Sequence, residues 1–177
     1  MKRQEFIDEL AKIPISDRIY LDESGINKCL RREHARAPRG MQVYGAISGM
    51  RYARESFIAA QKEEEILAPF CYRGTCDTTL FNLWVKDFLL PELKPGQVVI
   101  MDNAAFHKSQ ETKQLIEAAG CRVFFLLPYS PDLNPIERVW ANLKKKVQRV
   151  LERIRGIKLA DAIDAAFVEL STSSRYL

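Results

Sequence analysis

The apolar run Val-Val-Ile-Met at 98–101, closed by Asp102, has no polar residue in four consecutive positions. A strand of that kind has to be covered on both faces, which is the habit of parallel sheets rather than of solvent-facing antiparallel ones. A second apolar run, Cys-Arg-Val-Phe-Phe-Leu-Leu, follows at 121–127. Between them lies a helical stretch at 110–119, with Gly120 placed to end it. Strand, helix and strand in this order form a βαβ unit with a right-handed crossover, and this constrains the chain to an α/β architecture.

The rest of the chain is assigned around that unit. Phe6, Ile7, Leu10 and Ile13 recur at helical spacing, so 3–13 reads as an amphipathic helix closed by Pro14. Arg-Ile-Tyr-Leu-Asp at 18–22 reads as a strand. Further strands are expected at 42–48 and 51–60, separated by the Ser48-Gly49 turn, which gives an antiparallel meander. Leu80, Leu83, Trp84, Phe88 and Leu89 mark a helix over 78–90 that ends at Pro91. From Pro135 onward Ile136, Val139, Trp140, Leu143, Val147 and Val150 trace one face of a long helix, so Trp140 is assigned to the core. A last helix is expected near 159–170. The expected fold is therefore one domain over 1–177: a mixed five-stranded sheet, three antiparallel strands then two parallel ones, flanked by helices.

Composition narrows the function classes. The 177 residues are 47% hydrophobic and 28% charged, which excludes a disordered or collagen-like chain. The amino terminus carries acidic residues where a signal peptide needs an apolar run, and no apolar stretch is long enough to span a bilayer. The expectation is a cytoplasmic protein with no membrane partner. Cys29, Cys71, Cys76 and Cys121 show no Cys-x-x-Cys spacing, and with only His34 and His107 beside them they do not suggest a zinc site. The net charge of +4 is unevenly spread: the window 28–40 contributes +4 and 137–158 contributes +6, leaving −6 elsewhere. Such basic windows suit a polyanion, and equally a solvated loop and helix face.

Three acids hold the chemistry. Asp22 and Asp102 each close an expected strand. If those strands are neighbours, both lie at the carboxyl edge of the sheet, where open α/β sheets bind ligands. Glu137 sits in Leu-Asn-Pro-Ile-Glu, with Asn134 as a natural N-cap, Pro135 at the first helical position and Glu137 at the third. There it either closes a capping box with Asn134 or points toward the strand ends. Paired carboxylates repel unless a cation lies between them, and an all-oxygen donor set suits Mg²⁺ or Mn²⁺. Two such ions can activate an attacking oxygen and stabilise a leaving one at phosphorus. The basic windows make nucleic acid the natural substrate.

Five blocks then become recognisable in order: LDESG at 21–25, APRG at 37–40, YGAIS at 44–48, VVIMDNAAFHKS at 98–109 and YSPDLNPIERVW at 129–140, with 34 residues between Asp102 and Glu137. Together they resemble the catalytic domain of DDE transposases of the insertion sequence six-thirty/mariner superfamily, over about residues 18–150. The resemblance implies an RNase H-like fold. It implies Asp22, Asp102 and Glu137 as the catalytic metal ligands for two Mg²⁺ ions, with Mn²⁺ able to substitute. The implied reaction is DNA cleavage at transposon ends followed by strand transfer into target DNA at TA, without a covalent protein intermediate.

Asn103, His107 and Asn134 stand in matched motifs as residues that position DNA or the acids. Arg36, Arg39, Lys144, Lys145 and Lys146 are the candidate contacts to the DNA backbone. The resemblance also implies a homodimer on DNA and a nucleoid-associated location. Relatives carry helix-turn-helix modules ahead of the first aspartate, whereas 21 residues precede Asp22 here. DNA-end recognition is therefore assigned to a helix-turn-helix region absent from this chain: either a separate or frameshift-joined reading frame supplies it, or the chain is a fragment. The alternatives are another RNase H-like nuclease, such as a ribonuclease or junction resolvase, and an inactive remnant that regulates by binding DNA.

Overall fold

A computed structural model describes residues 3–27, 54–128 and 130–173. Its centre is a five-stranded sheet in the order β3-β2-β1-β4-β5, formed by β1 (Arg18–Asn27), β2 (Arg54–Lys62), β3 (Glu65–Arg73), β4 (Val98–Met101) and β5 (Arg122–Phe125). The pairs β1–β2 and β2–β3 are antiparallel, and β1–β4 and β4–β5 are parallel. This is the mixed sheet that the sequence predicts. Around it pack α1 (Arg3–Ala11), α2 (Thr78–Trp84), α3 (Gln110–Ala118), α4 (Ile136–Arg153) and α5 (Leu159–Ser173).

Strand alternation divides the core into two layers. Ile19 and Leu21 of β1 and Val99 and Met101 of β4 face α2 and α3, where they meet Phe81, Trp84 and Ile116. On the other face, Phe57 and Ala59 of β2 pack against Trp140, Leu143 and Val147 of α4 and Phe167 of α5. The same face at β4 is covered by α1, whose Phe6 and Leu10 meet Val98, Ile100 and Leu126. Gly120 ends α3 with φ +76°, which favours glycine, and a Cβ there would be tight against Pro95 at 3.0 Å.

Two sequence expectations are corrected. The third antiparallel strand is 65–73, a segment not assigned from the sequence, while the expected strand at 42–48 and its turn lie outside the described residues. Pro69 hides β3, because a proline argues against a paired strand. The structure accommodates it at an edge strand and in a bulge: the register shifts between Ile58 and Ala60, with Ala68 and Pro69 opposite Ala59. Ala68 adopts φ +48° there. Its N–H donates to Glu92 Oε1 at 3.1 Å, and its carbonyl accepts from Trp84 Nε1 at 2.9 Å.

The second correction concerns β1, which runs five residues past Asp22. Ser24, Gly25 and Asn27 have turn-like composition, yet each is paired with β2, Gly25 opposite Ser56 and Asn27 opposite Arg54. Asp22 is therefore inside a strand. What ends nearby is the parallel ladder to β4, which pairs only Arg18 to Tyr20 with Val98 to Ile100.

The helix expected over 78–90 is α2 capped by Asp77, whose carboxylate accepts from Leu80 N–H at 2.8 Å, followed by one π-turn at Val85–Leu89 and a 3₁₀ turn at Leu90–Glu92. Cys71, Cys76 and Cys121 are free thiols, and Cys29 lies outside the described residues. Among the described residues no helix is long and apolar enough to cross a membrane.

Candidate active site

The end of the β1–β4 ladder creates the site. Two residues beyond the last pair, Tyr20 with Ile100, stand Asp22 on β1 and Asp102 just after β4, level with each other across the opening between the strands. The turn that follows β5 leads into α4, and brings Glu137 in its first turn over the same opening. Asp22, Asp102 and Glu137 thus line one cleft of about 440 Å³, together with Asn103, Ser130 and Asn134.

Each acid is held differently. Asp22 faces α4, where its Oδ2 accepts from the indole N–H of buried Trp140 at 3.1 Å. Burial, followed by the neighbouring charges of Glu23 and Glu137, pushes its carboxyl up to about 7, against the smaller opposing effect of the Trp140 hydrogen bond. Asp102 is tethered through Oδ1, which accepts from Ala104 N–H at 2.9 Å and lies 2.6 Å from His107 Nδ1. The His107 hydrogen bond leads the effects that hold Asp102 below the usual carboxylate range.

His107 is 1% exposed, and its Nε2 lies 2.9 Å from Glu23 Oε1. Burial pushes the imidazole down, but hydrogen bonds to Asp102 and Glu23 outweigh it and raise the ring to about 9. With a carboxylate oxygen facing each ring nitrogen, both nitrogens are placed to donate.

Glu137 is exposed. Asn134 has the extended backbone of an N-cap, φ −110° and ψ 100°, and Pro135 is helical. The capping box nevertheless does not form: Asn134 Oδ1 is buried without a hydrogen-bond partner, and no hydrogen bond joins the Glu137 side chain to the cap. Glu137 is left for the cleft.

The other residues singled out from the sequence divide clearly. Asn103 donates from Nδ2 to the Leu126 carbonyl, tying the turn after β4 to the end of β5. His107 has its ring buried between two acids, so of the two roles implied for it, it has the atoms to position carboxylates. Lys145 is exposed, Lys144 is half-buried, and Lys146 lies 3.7 Å from Glu169 of α5. Arg36 and Arg39 lie outside the described residues. Sequence reasoning missed Glu23. The available signal was its place next to Asp22 in a strand, which puts it on the opposite sheet face.

The cleft suits a hard divalent cation. Among the described residues its ionisable lining is all carboxylate, and the upward push on Asp22 by neighbouring acids is a repulsion that a cation would relieve. Among the described residues no three histidine, cysteine or acidic side chains are grouped closely enough to hold a metal ion by themselves.

A family model described as DDE superfamily endonuclease matches residues 17–158. No curated protein sequence matches. Among solved structures the chain is similar to the Mos1 strand transfer complex, with TM-score 0.66 and 15% identity over 96% of this chain and 58% of that one. It is similar also to the mariner Mos1 paired end complex with Mg, with TM-score 0.62 and 13% identity over 96% of this chain and 59% of that one. The catalytic core domain of BIV integrase gives TM-score 0.53 and 14% identity over 86% of this chain and 82% of that one. The chain thus spans less than two thirds of the Mos1 chains in these two complexes. A family match that includes both aspartates and the start of α4, on a sheet of this order, means that the chain belongs to the DDE endonuclease superfamily and has the RNase H-like fold seen in mariner transposases and integrases.

Proposed function

We propose that this chain is the catalytic domain of a transposase, cutting DNA at the ends of a mobile element and joining the freed 3′-hydroxyl to target DNA. The observation that carries the reading is the convergence of Asp22, Asp102 and Glu137, from three separate elements, on one cleft in a DDE endonuclease. Solved neighbours include Mos1 complexes with Mg and with Mn and a paired-end complex with the left transposon end. They support Mg²⁺ as cofactor, with Mn²⁺ as substitute, and DNA as substrate; two ions is the working number that three carboxylates and an in-line displacement at phosphorus suggest. When bound, such ions lower the pKa of an attacking water or hydroxyl and stabilise the leaving oxygen.

The chain's own residues prepare the cleft for that chemistry. Trp140 fixes Asp22, and His107 fixes Asp102 and keeps it ionised. Glu137 enters from the first turn of α4, free of the cap. The exposed basic residues Arg138, Lys145 and Arg149 on α4 supply backbone contacts without reading sequence. A TA target, a homodimer assembled on DNA and a helix-turn-helix partner for end recognition complete the proposed function.

The test is nicking of supercoiled plasmid by the purified chain with Mg²⁺, with Mn²⁺ and with chelator. Cleavage that needs the metal and disappears in Asp102→Ala is the expected result. Selective cutting of the RNA strand in a hybrid duplex would instead make the chain a ribonuclease.

A further inference from the structure

Glu23 stands next to Asp22 in the sequence and takes no part in lining the cleft. Alternation along β1 turns Asp22 toward α4 and Glu23 toward α2 and α3. There the Glu23 carboxylate, 15% exposed, faces Nε2 of His107 at 2.9 Å, while Nδ1 of the same ring faces Asp102 Oδ1 at 2.6 Å. The imidazole packs edge and face against Phe81 and Phe106, each with its ring centroid 4.5 Å away. A largely buried carboxylate is costly unless hydrogen bonds compensate it, and His107 provides one.

We propose that Glu23 is a positioning residue for the metal site, acting through His107 to fix the carboxylate plane of Asp102. The inference rests on Asp102 being a metal ligand. Asp102 follows a strand end and is half-exposed, so its side chain would otherwise rotate in solvent. Two hydrogen bonds on Oδ1, from Ala104 N–H and from His107, hold it and leave Oδ2 for a cation. His107 can do this only if its ring does not swing. The aromatic contacts restrain the ring plane, and Glu23 anchors the far nitrogen. Hydrogen-bonded partners behind a metal ligand typically change metal affinity by roughly 10–100-fold when removed.

The experiment is a Mn²⁺ titration of the chain without DNA, with free Mn²⁺ read by electron paramagnetic resonance and a melting curve for each variant. Glu23→Ala is expected to weaken Mn²⁺ binding by roughly tenfold or more. Glu23→Gln, whose Oε1 still accepts from Nε2–H, should bind close to the wild type. His107→Leu keeps apolar volume against the two phenylalanines but breaks the link, so it should weaken binding as Glu23→Ala does. The double variant should bind no more weakly than either single one, because both changes break the same hydrogen-bonded chain.

Wild-type affinity in Glu23→Ala, with or without a lower melting temperature, overturns the proposal if Asp102→Ala binds weakly. Additive losses in the double variant, or equal weakening by Gln and Ala at position 23, overturn it as well. Wild-type binding by Asp102→Ala is a separate failure, which removes Asp102 from the metal site and this inference with it.

Discussion

Replacing Asp22 with asparagine should stabilise the metal-free protein while abolishing its activity. The Asp22 carboxyl is raised from 3.8 to about 7 by burial and then by the charges of Glu23 and Glu137. The folded chain therefore holds a proton that the unfolded chain releases between about pH 4 and pH 7. Folding stability due to this group is greatest below that window, falls as pH rises through it, and is level above it. At about 1.4 kcal/mol per pH unit the full shift corresponds to a ceiling of about 4 kcal/mol at pH 8. Residual solvent access to Asp22 brings the working expectation to about 2 kcal/mol.

Asparagine has no charge to bury, is nearly the same size, and keeps an oxygen to accept from Trp140. For a chain of this length, about 2 kcal/mol should raise the melting temperature by roughly 4–8 °C. The assay is calorimetric melting in chelator at pH 4 and pH 8. Asp22→Asn should melt higher than the wild type at pH 8 and close to it at pH 4, and should fail to nick DNA with Mg²⁺. An equal or lower melting temperature for the variant at pH 8, or the same difference at both pH values, would refute the reasoning.

Glu137→Gln should lose metal-dependent nicking with its melting temperature changed by no more than a degree or two, because the Glu137 side chain does not cap α4. A clear fall in melting temperature with activity kept would restore the capping role. Lys145→Gln with Arg149→Gln should weaken binding to unrelated DNA duplexes to a similar degree and flatten the salt slope by roughly 0.9 for each phosphate no longer neutralised, read in a salt titration. Trp140→Phe keeps much of the packing against Phe57, whose ring centroid is 5.1 Å away, but removes the N–H that Asp22 accepts. It should cost about 1–3 kcal/mol in urea unfolding above pH 7, where Asp22 is ionised. The cost should shrink as pH falls and Asp22 takes up its proton.

The parts of this molecule legible in the sequence are those where local pattern and tertiary context agree. The uninterrupted run at 98–101 has to be a doubly covered strand, and Gly120 has to end a helix. The apolar stripe of α4 assigns Trp140 to the core, where it is 2% exposed. The extent of β1 was not legible, because Ser24, Gly25 and Asn27 are turn residues by composition and become strand only through pairing with β2. The edge strand β3 was hidden by Pro69, which a bulge accommodates.

At the site, strand-end reasoning brought Asp22 and Asp102 together, although Asp22 lies inside its strand, two residues past the end of the ladder to β4. Whether Glu137 capped its helix could not be read from spacing, since the choice turns on the side-chain conformation of Asn134. The hydrogen-bonded chain Glu23–His107–Asp102 was illegible for another reason: it joins residues 84 positions apart across the sheet.

The most direct test of the three-acid site is anomalous diffraction at the manganese edge from crystals of this chain soaked in Mn²⁺. Manganese peaks in the cleft, within bonding distance of oxygens from Asp22, Asp102 and Glu137, are the predicted result. Manganese bound elsewhere, with the three carboxylates ordered and unliganded, would contradict the assignment.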